Sequence, residues 1–436
     1  MGSIGPQKSG RVARAGVFIS RLGTGLHPPK GCGDSGRTDR YGPQAGEGVP
    51  NPCVQRRFII AAHNKYRIIE NDYVRDILDQ PRALEATLRG LSVPESLGLI
   101  RERIERGELR RVVLTGMGSS FYALHPLHSL LTSYGFTTVL LETSELVYYF
   151  PRLLDSQTLL IAVSQSGRSA EIVRLLDENG RRAPIIGVTN TDDSPLALQA
   201  DGVLLTRAGE EFSVSCKTYV TALLALRELG SLLSGVQQVS FPGKACPEPA
   251  EGRESTPRAL NHGSKQTRSE LAQAAPTVRS YLNSWRDHVV ELAACLEEVR
   301  HLFLVGRGGS LAAVGTGALT IKESTHRHAE GMSSASFRHG PFEMLSEETF
   351  VLVFEGDGKT RALNIRLLEN IRRKGGRAEL LGKGAELSSL RIPEVPESTL
   401  PILEILPVQM VTLALAAQAG REAGRFTLGS KVTTIE

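Results

Sequence analysis

The fold is decided by two similar stretches, Val112-Val-Leu-Thr-Gly-Met-Gly-Ser-Ser120 and Leu302-Phe-Leu-Val-Gly-Arg-Gly-Gly-Ser310. The second begins 190 residues after the first, and both have a short apolar run, a glycine turn and a serine that opens a helical pattern. An apolar run followed by such a turn is typical of a buried parallel strand that leads into a helix. The repeat therefore predicts two copies of one α/β domain.

Further short apolar runs follow each copy, with helical stretches such as residues 170–178 and 364–373 between them. The runs comprise residues 138–141, 158–163, 184–188 and 202–205 after the first copy, and 349–354 and 378–381 after the second. This alternation predicts parallel sheets with helices on both faces. We therefore expect an α/β protein with two tandem αβα, Rossmann-like domains.

Composition suggests the domain limits. Residues 1–60 contain 12 Gly and 6 Pro without apolar periodicity, so we expect a disordered leader over residues 1–62. The first domain is expected over residues 63–236, and begins with two helices that are separated by a break at Pro81. A segment rich in Pro, Gly and charged residues predicts an inserted loop over residues 237–268, and the second domain is expected over residues 269–436.

Bulk properties exclude several classes of protein. The net charge is +4, but residues 1–60 contribute +6, so the rest of the chain is not basic and no nucleic-acid partner is expected. Five widely spaced cysteines without a CxxC motif favour a reducing, cytoplasmic location over a disulfide framework. Residues 400–420 are apolar but contain Glu404, Pro407 and two glutamines, which predicts a buried core helix and no membrane partner.

Two turns are candidates for binding a phosphate group. Ser164-Gln-Ser-Gly-Arg-Ser169 follows an apolar run and precedes a helical pattern, so hydroxyls and free N–H groups would meet at a helix N-terminus. An ordinary serine N-cap is the alternative. The Gly116-Met-Gly-Ser-Ser120 turn is similar, and it lacks the third glycine of a dinucleotide-binding motif.

Acid–base chemistry is suggested by Glu323 and His339, in the segments Lys322-Glu323 and Arg338-His-Gly-Pro341. His326 and His328 are two residues apart and no HExxH motif occurs, which disfavours a metal site. The alternatives for Glu323 and His339 are a solvated helix charge and a helix cap. Lys431, near the C-terminus in Ser430-Lys-Val-Thr433, would ordinarily be solvated.

In combination, these motifs resemble the sugar isomerase (SIS) family, in particular the isomerase half of glutamine–fructose-6-phosphate aminotransferase and the stand-alone glucosamine-6-phosphate deaminases. Four signals occur in order over residues 66–436: GMGSS, SQSGRS, KE…HAE…FRHGP and SKVT. The resemblance implies five parallel strands in each domain, a hexose or hexosamine 6-phosphate as substrate, and no cofactor. It also implies a homodimer with a shared active site.

The resemblance assigns roles to individual residues. Glu323 matches the base that moves a proton between C1 and C2, and Lys431 matches the tail lysine that assists ring opening or engages the open-chain carbonyl. His339 matches the ring-opening histidine, which comes from the neighbouring subunit in relatives. The residues that match phosphate- and sugar-binding positions are Ser119, Ser120, Ser164, Gln165, Ser166, Ser169, Glu211, Val214 and Ser215.

Departures from the family pattern separate the activities. Some 60 leading residues are too few for a glutaminase domain, so glutamine hydrolysis is not expected. Arg168 replaces an acidic residue of the aminotransferases, and Ser336 replaces a glutamate that is common in both groups. We therefore expect deamination and isomerisation of glucosamine 6-phosphate. The alternatives are galactosamine or fructosamine 6-phosphates, synthesis with a separate glutaminase, and a non-catalytic sugar-phosphate sensor.

Overall fold

Two parallel β-sheets organise the protein. The structure, a computed structural model, describes residues 69–235 and 265–433. The first sheet has five strands in the order β2-β1-β3-β4-β5. Its strands are β1 (Arg111–Gly116), β2 (Thr138–Glu142), β3 (Thr158–Val163), β4 (Ile185–Thr189) and β5 (Gly202–Leu205). All its pairings are parallel, which confirms the predicted α/β architecture.

The second sheet repeats this topology with four strands in the order β7-β6-β8-β9. Its strands are β6 (His301–Gly306), β7 (His328–Ser333), β8 (Thr349–Phe354) and β9 (Arg377–Leu381). The expectation of five strands is wrong for this sheet. At the fifth position only an isolated parallel bridge joins Gly382 to Arg391. Pro393 and Pro396 follow and cannot donate ladder hydrogen bonds, which explains why no strand extends from the bridge.

Helices connect the strands. In the first half they are α1 (Asp72–Gly90), α2 (Ser96–Glu105), α3 (Gly118–Ala123), α4 (His125–Ser133), α5 (Thr143–Tyr149), α6 (Ala170–Asn179), α7 (Pro195–Gln199) and α8 (Lys217–Ser234). In the second half they are α9 (Ala274–Leu282), α10 (Trp285–Cys295), α11 (Leu311–Thr325), α12 (Ser334–Phe337), α13 (Arg361–Arg373) and α14 (Leu400–Gln418). Residues 265–271 are also helical.

The predicted break at Pro81 is wrong, because α1 continues through this residue. Proline has no N–H, so the Ile77 carbonyl loses its usual helical partner. The Gln80 side chain replaces it, since Gln80 Nε2 donates to the Ile77 oxygen at 3.0 Å. Gln80 also bonds to the buried Gln409 of α14 at 2.9 Å. This side chain therefore satisfies the helix internally and ties it to the second half.

One hydrophobic core is shared by the two halves. It includes side chains of both sheets and of α1, α8, α11 and α14. In addition, each sheet has one smaller cluster beneath its outer helices. Among the described residues, α14 alone is long and apolar enough to cross a membrane, and nearly all of it is buried within this core. The prediction of a buried core helix is confirmed.

The domain limits are described only in part. The leader at residues 1–62 lies outside the described residues, as do residues 237–264 of the expected insertion. The rest of that insertion, residues 265–268, belongs to a helix rather than a loop. The second half therefore becomes helical four residues earlier than the expected start at residue 269.

Candidate active site

A cavity of about 310 Å³ opens at the carboxyl ends of β1 and β3, where loops of the first sheet meet α11 and the C-terminal segment. Crevices at this edge of a parallel sheet are the usual ligand sites of α/β folds. The predicted site residues that line the cavity are Ser119, Ser120, Ser164, Gln165, Ser166, Ser169, Glu211, Ser215, Glu323 and Lys431. The structure thus brings together segments from both halves of the sequence.

The turn between β3 and α6 is rigid. Gly167 has φ +60°, and a Cβ there would lie 2.2 Å from Ser194 Oγ, so only glycine fits. Ser164 Oγ accepts the Gly167 N–H at 3.1 Å, and Ser166 Oγ accepts the Arg168 N–H at 3.2 Å. These bonds fix the direction of the hydroxyl groups around the cavity. Arg168, which departs from the aminotransferase pattern, pairs with Asp193 at 2.7 Å.

The start of α6 is suited to an anion. Ser169 occupies the N-cap position, yet its side chain makes no capping hydrogen bond. The ordinary N-cap interpretation is therefore wrong, and the hydroxyl lines the cavity instead. The first helical N–H, that of Ala170, donates to the Thr433 carbonyl at 3.1 Å. The C-terminal segment thus covers this helix end, whose dipole favours negative charge.

Lys431 is anchored rather than solvated. Its Nζ donates to the Glu211 carbonyl at 2.6 Å, the Ser213 carbonyl at 2.8 Å and Glu211 Oε2 at 2.9 Å. An ammonium group has three N–H donors, so all three are engaged within the protein. Its charge still acts across the cavity, where it lowers the pKa of Glu323.

Glu211 holds the start of α8 as well as Lys431. Its Oε1 accepts the N–H groups of Cys216 and Thr218, both at 3.0 Å, and its Oε2 accepts Thr218 Oγ1 at 2.7 Å. The carboxylate is fully buried. Because protein donors occupy both oxygens, the geometry supports a positioning role for Glu211 rather than the predicted direct sugar contact.

A buried charge network supports the loop that carries Glu211. Asp76 Oδ2, on α1, accepts the N–H groups of Phe212 and Ser213 at 2.9 and 3.2 Å and the Ser213 hydroxyl at 3.0 Å. Lys217 pairs with Asp76 at 3.2 Å and with Asp79 at 3.0 Å. These bonds fix the Ser213 carbonyl, which is one acceptor of Lys431. No local sequence pattern marks this network, because its residues lie far apart in the chain.

Glu323 lies in the last turn of α11 and reaches the cavity from the second half. Burial raises the pKa of its carboxyl to about 7, and Lys322 and Lys431 offset part of this effect. Among the described residues it has no hydrogen-bond partner. A carboxyl group that titrates near neutral pH can both accept and return a proton. The interpretation of Glu323 as a solvated helix charge is therefore wrong.

Two predicted residues are not brought to this cavity. Val214 is fully buried in the shared core, and its N–H donates to the Gly424 carbonyl at 3.3 Å, so its side chain packs instead of contacting a ligand. His339 is exposed just after α12 and does not line the cavity of its own chain. Nearby, Ser336 bonds to the Ser333 hydroxyl at 2.8 Å. A role for His339 in a neighbouring subunit stays a prediction.

Several lining residues were not predicted. They include Leu319, Thr218, Glu171, Phe426, Val432 and Thr433. Leu319 lies four residues before Glu323, and helical residues at this spacing share a face. The position of Leu319 could thus have been inferred. Phe426 carries no motif, and only the folded C-terminal segment brings it to the cavity.

Comparisons with known proteins agree with this architecture. The SIS domain family matches residues 108–231 and 295–419. The chain is 30% identical over 379 residues to glutamine–fructose-6-phosphate aminotransferase [isomerizing] of Pyrococcus horikoshii, a match that covers 84% of this chain and 58% of that protein. The chain therefore spans less than two thirds of the length of this relative.

Two solved structures share the fold. The C-terminal domain of glucosamine-fructose-6-phosphate aminotransferase from Francisella tularensis aligns with a TM-score of 0.69 at 19% identity, over 82% of this chain and 98% of that one. Glucosamine-6-phosphate deaminase from Thermotoga maritima aligns with a TM-score of 0.61 at 18% identity, over 84% of this chain and 100% of that one. Because the two family matches together cover more than half of the sequence, the chain belongs to the SIS domain family.

Proposed function

We propose that the chain is a cytoplasmic enzyme that converts glucosamine 6-phosphate, or a closely related amino-sugar phosphate, into a ketose 6-phosphate and ammonia. One observation carries the proposal. A carboxyl group with a pKa near 7, Glu323, lines the same cavity as a serine-rich turn at a helix N-terminus and an anchored lysine. This combination suits a substrate with a phosphate at one end and an exchangeable proton at the other.

The phosphate end of the substrate fits the turn between β3 and α6. Ser164, Ser166 and Ser169 offer hydroxyl groups there, and the helix dipole favours a dianion. Thr433 bonds to the first N–H of α6, so the C-terminal segment would share this helix end with the phosphate. Remote binding of this kind orients the carbon chain for the chemical step.

The reaction requires a proton transfer between neighbouring carbons. In the open-chain aldose, Glu323 would take the C2 proton, which leaves an enolamine as O1 gains a proton, and would return a proton to C1 while the amine nitrogen loses a proton. The product is a ketose imine, and water then replaces the nitrogen at C2, so that one ammonia leaves for each ketose formed. A carboxyl group with a pKa near the working pH is suited to both halves of this transfer.

Lys431 would supply positive charge. Negative charge develops on the substrate oxygen as the enolamine forms, and a fixed ammonium group stabilises it most when it needs no reorientation. The three bonds from Lys431 Nζ to the loop at residues 211–213 hold the group in place. Direct contact with the substrate would require one of these bonds to exchange.

The test is turnover of glucosamine 6-phosphate by the purified chain. We expect ammonia and fructose 6-phosphate to form in equal amounts. Galactosamine 6-phosphate, fructosamine 6-phosphate and unphosphorylated glucosamine serve as alternative substrates. Tight binding of the sugar phosphates without any turnover would favour a non-catalytic sensor and contradict the proposal.

A second candidate is the synthetic direction, which the relative named glutamine–fructose-6-phosphate aminotransferase favours. In this case the chain would act as the isomerase unit and receive nitrogen from ammonia or from a separate glutaminase. Incubation of fructose 6-phosphate with ammonium, with and without glutamine and a glutaminase, distinguishes the two directions.

We also propose a homodimer in which His339 opens the sugar ring in the active site of the partner. Its exposure and its absence from its own cavity support this idea. Mixing inactive Glu323→Gln and His339→Ala proteins under subunit exchange should restore activity, since one of the two sites in a mixed dimer is intact. A protein that light scattering shows to be a monomer and that has full activity would contradict this proposal.

A further inference from the structure

A second cavity is the counterpart of the candidate active site in the other half of the chain. The active site lies at the first sheet and receives α11 from the second half, whereas this cavity lies at the second sheet and receives a helix from the first half. It has a volume of about 230 Å³ and lies at the carboxyl end of the second sheet. Ser310 and Asp357 line it, and they follow β6 and β8 as Ser120 and Ser166 follow β1 and β3. The first half contributes Ser129 and Ser133. They lie 190 residues before Leu319 and Glu323, and because the sequence repeat has the same offset, they are the counterparts of these two active-site residues.

The side chains of this counterpart cavity differ from those of the active site. Ser133 stands where Glu323 stands in the active site, so no carboxyl group is available at that position for proton transfer. The Ser164–Ser169 turn is replaced by Glu355-Gly-Asp-Gly-Lys-Thr360. Asp357 Oδ1 accepts the N–H groups of Lys359 and Thr360 at 3.1 and 3.2 Å. The helix end that would receive a phosphate is therefore already occupied by a carboxylate, which disfavours anions.

An acidic pocket of about 210 Å³ adjoins the counterpart cavity and shares Asp357, Glu397 and Leu400 with it. Two other carboxylates of the pocket are neutralised, since Glu355 pairs with Arg361 and Glu394 pairs with Lys383. Within residues 69–235 and 265–433, no cation pairs with Asp357 or Glu397. The pocket therefore has an excess of negative charge.

Glu404 is an independent sign of a ligand. It lines the acidic pocket from α14 and is 1% exposed. Ser310 donates to its Oε1 at 2.8 Å, whereas its Oε2 is buried without a partner among the described residues. An unpaired buried carboxyl oxygen is costly, and native proteins normally satisfy such a group.

The chemistry of the pocket favours an organic cation over a metal ion. In the described part of the chain, no three His, Cys, Asp or Glu side chains are grouped closely enough to hold a metal. Carboxylates spread around a cavity of this size can accept hydrogen bonds from an ammonium group and from neighbouring hydroxyls.

We propose that the acidic pocket and the adjoining counterpart cavity bind a small unphosphorylated primary amine, such as a free amino sugar, through Asp357, Glu397 and Glu404. The ammonium group lies against Glu404 Oε2, the Glu404 carboxyl releases its proton to solvent as the amine binds, and the carbon skeleton extends toward Ser133. This site is separate from the candidate active site, so the inference does not depend on the proposed reaction.

The test is calorimetric titration of the full chain with glucosamine, and with glucose as the matched probe that lacks the amine. We expect glucosamine to bind and glucose to bind at least about ten-fold more weakly, as expected when a charged hydrogen-bond partner is lost. Glu404→Gln and Asp357→Asn should each weaken glucosamine binding about ten-fold. Glu369→Gln, which changes an exposed carboxylate of α13, should leave it unchanged.

Two outcomes would overturn the inference. One is equal binding of glucosamine by the wild type, Glu404→Gln and Asp357→Asn. This result would show that the amine binds outside the acidic pocket, for example in the active site. The other is equal affinity for glucose and glucosamine, which would remove the role of charge. Circular dichroism of each variant shows that a loss of binding is not a loss of folding, and Ser166→Ala should retain glucosamine binding.

Discussion

Lys431 and Glu211 are 220 residues apart in the sequence, yet Lys431 Nζ lies 2.9 Å from Glu211 Oε2. The same carboxylate accepts two N–H groups at the start of α8. One buried glutamate thus links the helix that borders the cavity to the C-terminal segment that closes it. The position of the ammonium group depends on the first half of the chain as much as on its own segment.

This link predicts that Glu211 and Lys431 act as a unit. Glu211→Gln should lower kcat by about ten-fold or more, because it removes the ionic partner that fixes Lys431, and should change KM less. Lys431→Met should lower kcat at least as much. The double variant should be no slower than Lys431→Met, and steady-state kinetics of all four proteins measures this coupling. Additive losses would show that Glu211 acts independently of the lysine.

Glu323→Gln tests the proposed base. The amide keeps the size of the side chain but cannot accept a proton, so turnover should fall by about 10²-fold or more while sugar-phosphate affinity stays within a few-fold. Activity assays and calorimetric titration with fructose 6-phosphate measure the two quantities. Glu330→Gln, an exposed carboxylate of β7, is the matched control and should keep full activity. Substantial activity in Glu323→Gln would assign proton transfer to another group.

The pH dependence of the rate follows from the pKa of Glu323. The carboxylate must be ionised to take the C2 proton, and its pKa is raised to about 7 by burial. The value of kcat/KM should therefore rise as pH increases toward 7 and level off above it. Lys431→Met removes a charge that lowers this pKa, so the midpoint should move to higher pH in that variant. An acidic limb near pH 4.5, the ordinary value for Glu, would contradict the raised pKa.

Much of the fold could be predicted because its signals are local. The apolar runs at residues 158–163, 202–205 and 349–354 match β3, β5 and β8 residue for residue. Each is a continuous buried run with a turn after it, a pattern that depends little on the rest of the chain. Strand β7 was missed because only one of its six residues, Ala329, is fully buried, so it carries no apolar run.

The candidate site was predictable only where a motif marks it. The serine turn, Glu323 and Lys431 carry family motifs, and the structure brings them to one cavity. The roles of Asp76 and Glu211 in fixing the lysine depend on contacts across more than 130 residues, and no local pattern encodes them. Val214 was misassigned because a motif match does not distinguish a core position from a lining position.

The continuous helix α1 predicts that the Gln80 side chain compensates for the N–H group that Pro81 lacks. Gln80→Met should destabilise the protein by about 1–3 kcal/mol, because the Ile77 carbonyl and the Gln409 amide lose buried partners. In a Pro81→Ala background the restored N–H can bond to Ile77, so the same change should cost less. Urea unfolding of the four proteins measures the difference, and equal costs in both backgrounds would show that Gln80 does not compensate for the proline.

Glu404 gives a prediction about stability and pH. The pKa of its carboxyl is raised to about 8. Burial is the main cause and the charges of Asp357 and Glu355 contribute, while the hydrogen bond from Ser310 opposes the increase. Between the ordinary value near 4.5 and this value, the folded protein holds a proton that the unfolded chain releases, so the free energy of unfolding decreases as pH rises through this range.

Glu404→Gln cannot ionise and avoids this loss. Its melting temperature relative to the wild type should therefore increase from pH 5 to pH 9, whereas that of Glu369→Gln should not. Because Glu323 is present in all three proteins, its own raised pKa cancels in the comparison. A difference between Glu404→Gln and the wild type that stays constant over this range would mean that Glu404 is ionised in the folded protein and has a counter-charge.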